Sequence, residues 1–222
     1  YTTLFRSVFI DILGFSILIP FLPFFSEQFN APAWQIGLLL STNALFGFFS
    51  GPIWGSLSDV WGRKPMLLLS RLGTLLGFII LAFSNSMAMM FLSRIIDGIF
   101  GGNYPIAKAI IGDVVPAEQR SEQMSNIGVA HVLSSLIGPG LGALLSRWGI
   151  RAPGLLAAAM TCGTIMLTLF YLQESNPLAS KEVADRKFQL NLKRFNPAQD
   201  NAEDVNLRAK RRAVWRNKEA RY

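Results

Sequence analysis

Cysteine and histidine are almost missing from this chain, at one residue each in 222. A lone cysteine, Cys162, excludes an intrachain disulfide and a CxxC metal site. Charge is scarce as well. Only 16% of residues are Asp, Glu, Lys or Arg, against about 25% in soluble domains. That scarcity excludes an ordinary water-soluble globule and disorder over most of the chain. Sustained period-two alternation is also lacking, so the long apolar stretches do not read as spanning strands. No nucleophile–base arrangement, phosphate loop or metal-ligand cluster appears. Neither an enzyme nor a bound metal or cofactor is expected.

What is present is apolar residue in long runs, with 51% of the chain hydrophobic. A membrane helix needs roughly 20 mostly apolar residues, and six windows qualify, at about 7–26, 34–57, 65–84, 87–111, 122–146 and 153–173. The first carries Asp11 and no small-residue cleavage site follows it, so it is not read as a signal peptide. Polar breaks separate the windows: 26–33, a charged loop at 58–65, Ser84-Asn85-Ser86, a charged loop at 112–121, and a short basic turn at 147–153. Trp34, Trp54, Trp61 and Trp148 fall near the proposed span ends, where an amphipathic ring suits the interface.

Charge is distributed unevenly. Residues 1–174 hold 9 Lys/Arg and 8 Asp/Glu, whereas residues 175–222 hold 12 and 6. The net positive charge of +7 thus lies almost wholly in the last segment. The fold class expected is an all-α membrane protein, with a six-helix transmembrane part at 1–174 and a polar basic segment at 175–222. Lys and Arg in short loops mark the cytoplasmic side. Arg6, Arg63, Lys64, Arg120 and the tail lie on one side, and only Arg147 and Arg151 on the other. Both termini are therefore expected in the cytoplasm, and the protein in a cell membrane. The basic run around Arg208-Ala209-Lys210-Arg211-Arg212 suits a solvated cytoplasmic loop or anionic headgroups. Without a reading motif it does not point to nucleic acid.

Ionisable groups inside a bilayer are costly and normally face a cavity or a partner. Asp11 stands in the first window, Arg71 in the third, and Arg94, Asp97 and Lys108 in the fourth. Asn43 and His131 add polarity in the second and fifth. At about 100° per residue, Arg94, Asp97, Gly98, Gly101, Pro105, Lys108 and Gly112 share one stripe of the fourth window, while Asn103 lies opposite. That stripe reads either as a cavity wall or as a structural Arg94–Asp97 pair at i, i+3. Lys108 and Arg71, each near a cytoplasmic end, read as snorkelling residues. Asp11 has too short a stem to snorkel far. His131 suits either proton handling or packing. The candidate substrate and proton residues are Asp11, Asn43, Arg94, Asp97 and His131. Gly47, Gly51 and Gly55 read as a packing stripe, and Gly138-Pro139-Gly140-Leu141-Gly142 as a bend with close helix contact.

At Gly55-Ser56-Leu57-Ser58-Asp59-Val60-Trp61-Gly62-Arg63-Lys64-Pro65 the pattern becomes specific. It resembles the G-x-L-x-D-x-x-G-R-K/R signature between the second and third spans of the major facilitator superfamily. Arg94-Ile95-Ile96-Asp97-Gly98 resembles the family's R-x-x-Q-G, with Asp97 in place of Gln. The run from Ser134 to Ala143 resembles the antiporter G-x-x-x-G-P-x-x-G-G, with Gly138, Pro139, Gly140 and Gly142 in the run, Ser134 where the motif's first Gly would be and Ala143 where its last would be. Asp11 to Gly14 through Pro20 and Pro23 is similar to the first span of tetracycline-type efflux proteins. Asp113, Pro116 and Arg120 resemble the family's D-x-x-P-x-x-x-R loop.

The resemblance covers about residues 4–175 and implies one half of a twelve-helix carrier, closest to drug:proton antiporters. The substrate would be a small molecule, the coupling ion a proton, and the role transport by efflux, of the kind that confers drug resistance. It also implies a cytoplasmic latch of Gly55, Asp59, Gly62, Arg63, Lys64, Asp113 and Arg120. Asp59 would hold a helix N-terminus of the other half, and Arg63 would pair with Asp113. The C-terminal six helices are missing, and substrate sites in such carriers lie between halves. The chain, which opens on Tyr1, is then a piece of a longer protein, a truncated product, or a unit that pairs with a copy. A symporter for a sugar or other metabolite, and a transport-incompetent half-carrier that binds a partner, stay open as alternatives.

Overall fold

A computed structural model of the chain describes residues 2–149, 151–172 and 174–175. The basic segment from residue 176 onward lies outside them. Eight helices run in order among the described residues: α1 (Thr2–Leu18), α2 (Phe21–Glu27), α3 (Ala33–Trp61), α4 (Arg63–Ala82), α5 (Met87–Ile99), α6 (Asn103–Val114), α7 (Ala117–Leu145) and α8 (Ala152–Tyr171). A single 3-10 turn at Ser146–Trp148 precedes α8. No strand is present among the described residues. Five helical runs, with α1 and α2 counted as one from Phe5 to Glu27, are long and apolar enough to cross a membrane. The sixth crossing is the broken pair α5 and α6.

The windows are placed correctly, but three details differ. First, the fourth window is two helices. Gly101 and Gly102 weaken the helix, and Pro105 cannot donate to the carbonyl of Gly101; Pro105 therefore sits in the first turn of α6, where no donor is needed. The carbonyls at the end of α5 find donors elsewhere. Ser50 Oγ donates to Gly98 O at 2.7 Å, Trp54 Nε1 to Ile99 O at 2.6 Å, and Ser70 Oγ to Phe100 O. Broken helices persist at membrane depth when neighbours satisfy the backbone in this way. Second, the charged loop expected at 58–65 contracts to one residue. Gly62 has φ of 101°, a region that favours glycine, and α3 and α4 abut it on either side. Third, the loop expected at 112–121 is mostly helix, with α6 and α7 separated by Val115 and Pro116.

Trp54 also departs from expectation. It is buried rather than interfacial, its ring 5.7 Å from that of Phe100, while Trp34, Trp61 and Trp148 are exposed. A Cβ on Gly102 would come within 2.6 Å of the Trp54 ring, so glycine there lets the indole reach the break.

Two apolar clusters hold the bundle. One gathers Val8, Trp54, Met66, Leu67, Ile106, Ile110 and Ile127; the other Leu18, Phe21, Leu22, Phe25, Leu39, Phe78, Leu81 and Met90. Between them, along α1 and α4, fall Asp11 and Arg71. α1 packs on α7 and α8, and α4 packs on α5 and α8. Small residues allow the close approaches that lipid-embedded helices depend on. A Cβ on Gly142 would come within 2.6 Å of Ile17 O, one on Gly138 within 2.6 Å of Ser16 Cβ, and one on Gly154 within 3.0 Å of Ala82 Cβ. The Gly47-Gly51-Gly55 stripe does not serve that purpose here. Gly47 only just reaches Gly98 O at 4.0 Å, and Gly51 and Gly55 meet nothing within 4 Å among the described residues.

Candidate functional site

A cavity of about 400 Å³ opens between the helices, lined by Val8, Asp11, Ile12, Phe15, Asn43, Thr74, Phe78, Asp97, Gly101, Asn103, Tyr104 and His131. Four of the five candidate cavity residues, Asp11, Asn43, Asp97 and His131, line it together. Arg94 does not line it but stands directly behind Asp97. Asn103 does line it. The continuous wheel placed Asn103 on the wrong face, because the break at 100–102 resets the phase of the helix. Its Oδ1 lies 2.7 Å from Ser70 Oγ.

Two carboxylates meet the cavity, each backed by an arginine. Asp97 Oδ2 accepts from Asn43 Nδ2 at 2.8 Å and from Arg94 Nη1 at 3.3 Å. Arg94 is 1% exposed, and its guanidinium lies 5.7 Å above the Phe78 ring. Its Nη2 has no hydrogen-bond partner among the described residues. Asp11 is held more tightly. Its Oδ2 accepts from Arg71 Nη2 at 2.7 Å and Nε at 2.9 Å, and its Oδ1 from Thr164 Oγ1 at 2.6 Å. Arg71 Nη1 also donates to Thr164 O at 3.1 Å and to Thr168 Oγ1. One cluster thus ties α1, α4 and α8 at a single level.

Arg71 is the residue that the sequence reading missed. It does not snorkel: it is fully buried and every described contact points inward. Lys108, read the same way, is exposed, with Nζ 4.3 Å from the centroid of the Tyr104 ring. The distinguishing signal was the run of threonines at 161, 164 and 168, which gives α8 a polar stripe at helical spacing.

The latch candidates gather at the turn between α3 and α4. Arg63 Nε lies 2.7 Å from Asp113 Oδ2, Nη2 lies 2.6 Å from Asp59 Oδ1, and Nη1 donates to Ser58 Oγ at 2.6 Å. Ser58 Oγ in turn donates to Gly55 O at 2.7 Å. Asp59 is half exposed while Arg63 is buried. Lys64 Nζ donates to Leu169 O at 2.9 Å. Arg120 is not joined to this cluster, and its Nε donates to Val115 O at 2.9 Å across the α6–α7 turn. In the antiporter-like run, Ser134, Gly138 and Gly142 form the stripe against α1, with Ser134 Oγ donating to Phe9 O at 3.3 Å. Pro139 and Gly140 are exposed on the other side.

The chain is similar to known membrane carriers along its whole helical part. It is 34% identical over 169 residues to the tetracycline resistance protein, class H, of Pasteurella multocida, covering 75% of this chain and 42% of that protein. It is 31% identical over 176 residues to the multidrug resistance protein MdtG of Proteus mirabilis, covering 76% and 44%. Among solved structures, the human organic anion transporter MFSD10 superposes with a TM-score of 0.69 at 28% identity, covering 80% of this chain and 48% of that one. A peptide transporter, POT, in complex with sulfate superposes at 0.72 with 18% identity, covering 90% and 44%, and shows the shared fold alone. The chain spans less than half the length of each of these relatives. The family profile described as the Major Facilitator Superfamily matches residues 4–219. This integral, multi-pass membrane chain, with one six-helix half of the twelve-helix fold, belongs to the Major Facilitator Superfamily.

Proposed function

We propose that this chain forms the N-terminal half of a secondary carrier that exports small, drug-like organic molecules in exchange for protons. The observation that carries this reading is the carboxylate of Asp11 on α1, which opens onto the intramembrane cavity while it rests on the buried Arg71, with Asp97 on α5 lining the same cavity beside Arg94. A carboxylate in contact with a cation stays ionised, and one left in apolar surroundings takes up a proton. Rocking one half against the other changes those surroundings, which is what coupling to alternating access requires. The Arg63–Asp59–Asp113 cluster is the cytoplasmic latch. Relatives described as tetracycline and multidrug resistance proteins support the substrate class.

The exposed faces of α3 and α7 meet the second six-helix half. Only 11% of the most apolar window of α3 and 28% of that of α7 are buried, against 56% in α4. Residues 175–222 are the central loop between halves, and both ends of the chain face the cytoplasm at the plasma membrane. The test is drug accumulation in intact cells that express the protein from its complete reading frame. Expressing cells retain less of a tetracycline than control cells, and a protonophore removes the difference. Equal retention with the protein present in the membrane overturns the proposal.

A further inference from the structure

The N-terminus of α4 has no cap of its own. Its cap residue is Gly62, which has no side chain, and the first turn of α4 contains no acidic residue. The first amides of a helix need an acceptor and attract an anion. Here the acceptor comes from more than a hundred residues away. Arg63 N–H donates to Glu174 Oε1 at 2.8 Å, and Lys64 N–H donates to Glu174 Oε2 at 3.1 Å. Glycine at 62 permits this approach, since a Cβ there would lie 2.8 Å from Glu174 Oε2. The exchange is reciprocal: at the C-terminal end of α8, Lys64 Nζ donates to Leu169 O, a carbonyl of the last helical turn. The start of α4 is thus capped from the segment that follows α8, and the end of α8 from α4, at the turn that carries Asp59, Gly62 and Arg63.

We propose that Glu174 is a positioning residue of this turn. Its carboxylate, bridging the amides of Arg63 and Lys64, holds Arg63 in reach of both Asp59 and Asp113 and so sets how readily the ion-pair cluster opens. The geometry favours this over a plain helix cap. The capped amide of Arg63 belongs to the same residue whose side chain joins α3 to α6, so a shift of the α4 terminus moves the guanidinium away from Asp113. The Lys64–Leu169 bond fixes the end of α8 next to the turn, with only Leu172 and residue 173 between the end of α8 and Glu174. A movement of the chain beyond α8 therefore reaches Arg63 through one carboxylate.

The test reads Arg63 directly. The protein, expressed from its complete reading frame and purified in nanodiscs, is treated with phenylglyoxal, and modification of Arg63 is followed by mass spectrometry with Arg120 as the internal reference. Hydrogen exchange of the 62–66 segment is measured in parallel. In Glu174→Ala, Arg63 modification and amide exchange both rise about tenfold, the scale expected when a local opening loses one charged cap. Glu174→Gln, which keeps the size and one acceptor oxygen, gives a smaller rise in both, and serves alone if the alanine variant does not fold. Unchanged Arg63 reactivity in Glu174→Gln, with amide exchange raised, makes Glu174 a local cap only and overturns the proposal. Its bearing on transport rests on the carrier reading above. Neither readout needs transport, so loss of that reading, shown by an unmodified protein that fails to export, is distinguishable from failure here.

Discussion

Arg71 and Asp11 are close enough to share two hydrogen bonds, and Arg71 has no exposed surface. Removing one member of such a pair leaves the other charge buried and unpaired, at about 3–5 kcal/mol. Arg71→Ala is therefore expected to fail to accumulate in the membrane, whereas the double variant Asp11→Leu with Arg71→Met accumulates at near-normal levels and exports nothing. Quantitative immunoblots of membranes check this, and an Arg71→Ala protein at wild-type levels contradicts it. Asp97→Gln keeps an oxygen acceptor beside Asn43 and Arg94, and is expected to retain export with an unchanged pH profile. A lost pH dependence would instead place the proton on Asp97. The acidic residues of the cavity were legible in the sequence because a carboxylate in an apolar run has few innocent explanations. Arg71 was not, since a long side chain one turn from a helix end has an equally good route to the headgroups. Only the fold, which brings Thr164 and Thr168 across from α8, decides between the two.

The most informative element is the broken crossing. Gly101, Gly102 and Pro105 were visible as a glycine–proline cluster, yet a single wheel drawn through them ran one phase across two helices and put Asn103 on the wrong side. The donors that stabilise the break come from α3 and α4, so nothing in the local sequence announces them. Trp54→Phe keeps the ring but leaves Ile99 O without its donor, and an unmet buried polar group costs about 1–3 kcal/mol. The variant should unfold at a lower temperature in detergent, and an unchanged melting point would show that the indole N–H contributes nothing to the break. α7 offers a contrast within a single motif. Gly142→Ala pushes a methyl group to 2.6 Å from Ile17 O and should lower thermal stability, whereas Gly140→Ala meets no neighbour among the described residues and should not. Equal effects of the two would remove α1 as the partner of that stripe.

For the molecule as a whole, membrane class and crossing number followed from composition and window length, and the family from the 55–65 signature, which survives as a geometric cluster even though its loop is a single residue. The sidedness rests on Lys/Arg asymmetry. In a background lacking Cys162, a cysteine near Asn30 should react with an impermeant thiol reagent in intact cells and one near Arg120 should not; the reverse pattern would invert the topology. The cavity was not legible at this scale, because its walls come from α1, α3, α4, α5, α6 and α7 together. The central claim is that Asp11, paired with Arg71 at that cavity, carries the coupled proton. Its most direct test is proton movement in liposomes holding the protein expressed from its complete reading frame, with a pH gradient imposed and a drug probe added. The account predicts that the probe dissipates the gradient through the unaltered protein and that Asp11→Asn, reconstituted at the same protein-to-lipid ratio however poorly it accumulates in cells, leaves the gradient standing. Drug-induced proton flux through Asp11→Asn at the unaltered rate would contradict it.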